Sequence, residues 1–160
     1  MPIPSDGVQK GEAVEIRPMR PLDVPAVLTI LRESPEASLW TTASLLETAS
    51  KEGAWVARVN EQVVGFVAGR SAADEFEIMN LAVARSYRQR GVGSALVNTA
   101  LAWSRAAGSL RTFLEVRASN SGAIAFYTRL EFEFSGRRPK YYQFPEEDAV
   151  LMRRSEHGTI

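Results

Sequence analysis

Asn80-Leu-Ala-Val-Ala-Arg-Ser-Tyr-Arg-Gln-Arg-Gly-Val-Gly-Ser94 joins a strand to a helix through a basic glycine turn. An apolar run of strand character ends at Val83, a basic turn follows, and Gly91 and Gly93 open a long helical pattern. A strand feeding a glycine turn and then a helix is an α/β unit, and ligands of open α/β sheets bind at the carboxyl end of such strands. Without side chains at Gly91 and Gly93, a ligand can approach the backbone closely. The first helical turn adds unpaired N–H groups and the positive end of the helix dipole. Arg85, Arg88 and Arg90 place cations beside it. The combination suits a polyanion, most simply a diphosphate.

Spacing separates this turn from two familiar phosphate loops. A P-loop carries Lys and then Ser or Thr after its last glycine, whereas Gly93 is followed by Ser94-Ala-Leu96. A dinucleotide fingerprint needs its first glycine directly after the strand and a third glycine where this chain has Leu96. Glu115, downstream at roughly the distance of a ribose-binding acid, is the one feature that favours that reading. The plainest alternative is a tight turn with a solvated basic face.

Outward from this stretch, periodicity predicts a strand over 14–17 and a helix over 21–32 with Leu22, Val24, Val27, Leu28 and Leu31 on one face. A second helix, capped by Thr41 or Thr42, runs to Ala49. Strands over 55–59 and 63–69 flank a turn at Asn60-Glu61-Gln62, and 75–83 is a third long strand. A helix over 91–107 is stopped by Gly108. A strand over 111–116 leads to a helix capped by Ser119 or Asn120, with Ala123, Ile124, Tyr127 and Leu130 on one side. Short strands at 132–134 and 150–152 close the chain around a basic, aromatic loop from Gly136 to Pro145.

This order predicts the α/β (α+β) class: one domain with a mixed central sheet of about six to seven strands and helices on both faces. The passage from 75–83 through the long helix to 111–116 should be a right-handed crossover between parallel strands. The domain is expected over 13–154, with a loose arm at 1–12 and a tail at 155–160.

Composition bounds the chemistry. The 160 residues are 45% hydrophobic and 24% charged with a formal net charge of zero, so nothing indicates nucleic-acid or membrane affinity. Cys is absent and the single His is His157, which removes thiolate chemistry, disulfides and a Ser–His triad and makes a metal site unexpected. Glu, Asp, Tyr, Ser, Lys and backbone remain. No apolar stretch reaches membrane-spanning length and no signal-peptide core is present, so a cytoplasmic location is expected.

Glu115 interrupts the apolar run Phe113-Leu-Glu-Val116, and a carboxylate there must be solvated, paired or used. Arg117 and Arg111 share its strand face by period two and are the obvious ionic partners. Glu77, between Phe76 and Ile78, repeats the pattern one strand earlier, so two carboxylates could share a cleft. Tyr127 reads first as a core aromatic and Asn120 first as a helix cap.

These residues, in this order, resemble the GNAT superfamily of acyl-CoA-dependent N-acetyltransferases. Arg88-Gln-Arg-Gly-Val-Gly93 fits its pyrophosphate motif of Gln or Arg, two residues, Gly, one residue, and Gly or Ala. The narrower resemblance is to the ribosomal-protein-alanine N-acetyltransferases, the RimI-like branch. It rests on Asn80-Leu-Ala-Val83, on Leu114-Glu-Val-Arg-Ala-Ser-Asn120 with Ala123-Ile-Ala-Phe-Tyr127, and on Tyr141-Tyr142 ahead of Glu147-Asp-Ala149. The resemblance implies acetyl-CoA as acyl donor and no metal. Arg88, Gln89, Arg90, Gly91, Val92, Gly93 and Ser94 would hold its pyrophosphate. Leu81, Ala82 and Val83, with Asn120 and Tyr127, would line the pantetheine arm. Glu115 would be the general base and Tyr127 the acid for the leaving thiolate. Glu77, Asn80, Tyr141 and Tyr142 would meet the acceptor, most simply the α-amine of a protein N-terminus. A small amine such as a polyamine, amino acid or antibiotic is the alternative acceptor, and a silent acyl-CoA-binding regulator is the alternative class. A monomer or weak dimer is expected.

One departure stands out. The family usually reads Leu-Gly-Phe where this chain has Leu130-Glu131-Phe132. If that helix end keeps a positive φ, Glu131 costs about 1 kcal/mol.

Overall fold

The computed structural model describes residues 13–156. The expected arm at 1–12, and residues 157–160 of the expected tail with His157 among them, lie outside the described residues. Seven strands form one sheet in the order β1-β2-β3-β4-β5-β7-β6. They are β1 (Glu15–Pro18), β2 (Ala54–Val59), β3 (Gln62–Ala72), β4 (Glu75–Val83), β5 (Arg111–Arg117), β6 (Glu133–Tyr142) and β7 (Glu147–Ser155). The helices are α1 (Val24–Arg32), α2 (Thr42–Ala49), α3 (Val92–Ala106) and α4 (Ser121–Arg129). The sheet is mixed, as expected: β4 and β5 pair in parallel from Glu75↔Arg111 to Glu77↔Phe113, and β5 pairs with β7 antiparallel. The described chain divides into two compact units, one of residues 13–69 and 80–103, the other of residues 70–79 and 104–156.

In the first unit, α1 and α2 cover one face of the sheet. Val27, Ile30, Leu31 and Leu45 pack with Val56, Phe66, Ala68 and Ala82. Trp55 points to the opposite face, where it meets Trp103 of α3 edge to face at 5.4 Å. Gly65 sets how closely α3 lies, since a Cβ there would come within 3.0 Å of Leu96. The expected first helix starts late: Pro21–Asp23 is a 3-10 turn and regular α-helix begins at Val24. Asp23 fastens that turn, accepting from Arg17 at 2.8 Å through both carboxylate oxygens and from the Arg20 amide. The β2–β3 hairpin is tighter than the sequence suggested. Val59 pairs with Gln62, leaving a two-residue turn with Asn60 at φ 49° and Glu61 at φ 66°.

In the second unit the expected basic loop is mostly strand. β6 runs through Arg137, Arg138 and Pro139 to Tyr142 and pairs with β7. It is the sheet's edge, and almost every residue is exposed, so no apolar alternation marks it. Its proline and its irregularity between Arg138 and Tyr142 are what an edge strand tolerates. At the far end β7 continues to Ser155, and the Glu156 amide donates to Leu110 O.

Candidate active site

Within the first unit, β4 delivers its chain to the glycine turn. A 3-10 turn at Arg85–Tyr87 is followed by Gln89 at φ 59° and Gly91 at φ 83°. A left-handed Gln is a cost the fold retains, and alternating backbone hands aim successive amides to one side. The Ala95 amide donates to Gly91 O, so Gly91 occupies the helix cap. Val92, Gly93 and Ser94 are therefore first-turn residues whose amides have no carbonyl ahead of them in the helix. A Cβ on Gly91 would meet nothing within 4 Å, so its glycine answers to φ and to whatever approaches from outside.

Arg88 does not extend its side chain to that outside. Its Nε donates to Val83 O at 3.0 Å, one Nη donates to the buried Ser34 hydroxyl at 3.0 Å, and the other lies 3.3 Å from Glu36. It ties the end of β4 to the end of α1, which corrects its grouping with Arg85 as a cation of the turn. Asn80 is buried and engaged at both ends, donating to Ser38 O at 2.8 Å and accepting from the Leu81 amide at 3.1 Å. Ala82 is core, and Leu81 and Val83 alternate with it on the other face.

Within the second unit, Glu115 stands on β5 with 11% of its side chain exposed. Its ionic partner is neither Arg117 nor Arg111. Arg117 engages Glu147 and Arg111 engages Asp74 and Glu75, while Arg138 of β6 places Nε 3.2 Å from Glu115 Oε1. Register explains the choice: Glu115 is opposite Leu151, Leu151 is opposite Gly136, and Arg138 is two residues on, on the same face. The Tyr141 hydroxyl donates to Glu115, and this bond to a carboxylate raises the phenol above its ordinary range. Tyr142 is pushed up to about 12, by burial first and by the charge of Glu115 second. Arg138 also lies over the Tyr141 ring at 5.6 Å. Glu77 is held by Arg70 at 3.1 Å, and its charge too is felt at Tyr141. Glu77, Glu115, Tyr141 and Tyr142 thus lie in one cluster, with Arg138 and Arg70 as the ionic partners that the sequence pattern did not name. Arg138 could have been found only by recognising β6 as a strand.

Asn120 caps α4, accepting from the Ala123 amide at 3.0 Å. Tyr127 lies in the last full turn of that helix with 6% of its surface exposed, edge to face with Phe126 and Phe132. Burial pushes its pKa well upward, which favours the neutral, proton-carrying phenol. The helix end that orients it is a Schellman motif: the Phe132 amide donates to Tyr127 O and the Glu131 amide to Thr128 O, both at 3.0 Å. The Tyr127–Phe132 ring contact at 5.4 Å supplies the apolar closure of that motif. Glu131 sits at φ 70°, the left-handed geometry expected where glycine is usual.

A glycine turn that opens a helix at a strand end of a mixed sheet, followed by a strand carboxylate and a helix phenol, defines the class. Residues 24–132 match the Acetyltransferase (GNAT) family, and the chain belongs to that family. Its relatives include the N-alpha-acetyltransferase RimI of Mycobacterium tuberculosis, 34% identical over 113 residues, 68% of this chain and 70% of that protein. The ribosomal protein bS18-alanine N-acetyltransferase of Escherichia coli K12 is 35% identical over 95 residues, 58% of this chain and 64% of that one. An uncharacterized protein of Mycobacterium leprae is 39% identical over 121 residues, where the match spans 72% of this chain but only 33% of the relative's length. Among solved structures, Ard1 from Thermoplasma volcanium superposes with a TM-score of 0.85 at 33% identity, covering 91% of this chain and 99% of that one.

Proposed function

We propose that the chain is an acetyl-CoA-dependent N-acetyltransferase whose acceptor is the α-amine of a protein N-terminus. The observation that carries the reading is Glu115, a largely buried carboxylate bonded by Tyr141 beside Tyr142, with a buried neutral phenol at Tyr127 on the next helix. The names of the RimI relatives, one of which acts on an alanine of a ribosomal protein, point to the same acceptor class.

First-turn amides of Val92, Gly93 and Ser94, with the turn at Gln89–Gly91, suit the pyrophosphate of the donor. Glu115 takes one proton from the incoming ammonium, directly or through water, and frees the nitrogen lone pair to attack the thioester carbonyl. The C–N bond forms and the C–S bond breaks. Tyr127 gives its phenolic proton to the departing thiolate, and the second proton lost by nitrogen restores the phenol through solvent. Asn80, already buried and bonded, serves by holding the end of β4 in place.

The α-amine is the acceptor that asks least of such a site. Its ordinary pKa is about 7.7–8.0 against about 10.4 for lysine, a difference of roughly 3.5 kcal/mol in deprotonation. The test is acceptor profiling with peptides bearing free N-termini, free amines and N-terminally blocked lysine peptides, following thiol release. Peptides with a small free first residue should react. Turnover confined to small free amines would replace this reading by a small-molecule acetyltransferase.

A further inference from the structure

Arg138 raises a problem of charge balance that the reaction itself creates. Its guanidinium is 3.2 Å from the carboxylate that is to accept a proton, yet more than half of its side chain is exposed, 55% against 11% for Glu115. The neighbouring cations are already committed elsewhere, Arg70 to Glu77, Arg117 to Glu147 and Arg137 to Asp148. When one proton passes from the acceptor ammonium to Glu115, the carboxylate becomes a neutral acid and Arg138 loses this counter-ion. The guanidinium stays charged, since arginine does not release its proton. A carboxylate brought in by the acceptor restores the balance.

Resting on the N-terminal acetylation reading, we propose that Arg138 makes the enzyme select N-termini that carry an acidic residue immediately behind the reacting amine. Reach favours the second residue. An extended chain advances about 3.5 Å per residue. From an amine at Glu115, the second side chain branches one such step further on, a distance comparable with the 3.2 Å that separates Glu115 from the guanidinium. Arg138 meets Glu115 through Nε, and its guanidinium carbon lies 5.6 Å from the centre of the Tyr141 ring, which leaves the two Nη groups to meet a carboxylate in two-point fashion. Arg138 acts here on specificity and not as a catalytic residue.

The test uses the full chain with acetyl-CoA and a matched series of peptides that begin with Ala and carry Asp, Asn or Lys at the second place. The wild type should show kcat/KM for Asp over Asn higher by about two- to five-fold, the range of an exposed ion pair, with Lys lowest. Arg138→Gln should flatten the series, and Arg138→Glu should reverse it in favour of Lys. The ratios are internal to each variant, so a general loss of rate does not obscure them, and calorimetric titration with CoA establishes that each variant is folded. Equal rates across the wild-type series, or an Asp preference that survives in both variants, overturns this inference while leaving N-terminal acetylation intact. No acetylation of any peptide overturns both.

Discussion

Replacing Glu131 by glycine should make the protein more stable. Glu131 occupies φ 70°, where an L-residue other than Gly costs about 1–2 kcal/mol. Gly gives back about 0.5–1 kcal/mol through the greater freedom of the unfolded chain. The lost carboxylate matters little, because it is 82% exposed and its nearest cation, Arg154, is 3.9 Å away. The backbone bonds of the motif, from Glu131 to Thr128 and from Phe132 to Tyr127, do not involve the side chain. The net gain is about 0.5–1 kcal/mol, or about 1–4 °C in Tm for a chain of this size. Thermal unfolding followed by circular dichroism measures it, with urea titration as a second reading. Glu131→Ala is the control, because it removes the carboxylate and keeps the strain, and should leave Tm nearly unchanged. kcat should be the same in all three proteins, since the motif still fixes Tyr127. A lower Tm for Glu131→Gly with an equal fall for Glu131→Ala would show instead that the carboxylate outweighs the backbone.

Tyr127→Phe should preserve fold and CoA affinity and lower kcat by about 10²- to 10⁴-fold, since the ring still packs on Phe132 and only the proton is gone. Glu115→Gln should show a comparable loss, and full kcat in the Tyr127 variant would return that residue to the core alone. Gly93→Val, which adds a branched side chain in the first turn of α3, should weaken CoA binding by about ten-fold or more without a fall in Tm, measured by calorimetry. Unchanged affinity would remove the turn from the donor site. Asp23→Asn should cost about 3 kcal/mol by removing the carboxylate charge that faces the Arg17 guanidinium, read as a shift in the urea midpoint. Although burial alone would raise it, the Asp23 carboxyl is held below its usual range by Arg17 and the Arg20 amide, so its contribution is full above about pH 4 and fades as pH falls through its lowered native value.

The sequence showed most where a physical period or a special backbone was at stake. β4 was found to the residue, because Phe76, Ile78, Asn80 and Ala82 alternate inward without interruption. α2 was found through its cap, with the Thr41 side chain accepting from the Ser44 amide. Glu131 betrayed a helix end that wants glycine. What escaped was everything decided by a neighbouring strand. β6 looked like a loop because an edge strand with both faces exposed has no apolar rhythm to read. With β6 missing, Glu115 was given Arg117 and Arg111 as partners by period two, although the register of β5, β7 and β6 brings up Arg138. Arg88 looked like part of a basic face because no one-dimensional pattern shows that its guanidinium turns back to Val83 O and Ser34.

The most direct measurement pairs two peptides of one sequence, each beginning with Ala and carrying one internal lysine, one with a free N-terminus and one with that amine blocked. Each is incubated with the protein and acetyl-CoA, and the modified position is read by fragment mass spectrometry. A single acetyl group on the α-amine of the free peptide is expected, with no reaction of the blocked one. Equal acetylation of the lysine in both peptides would contradict it.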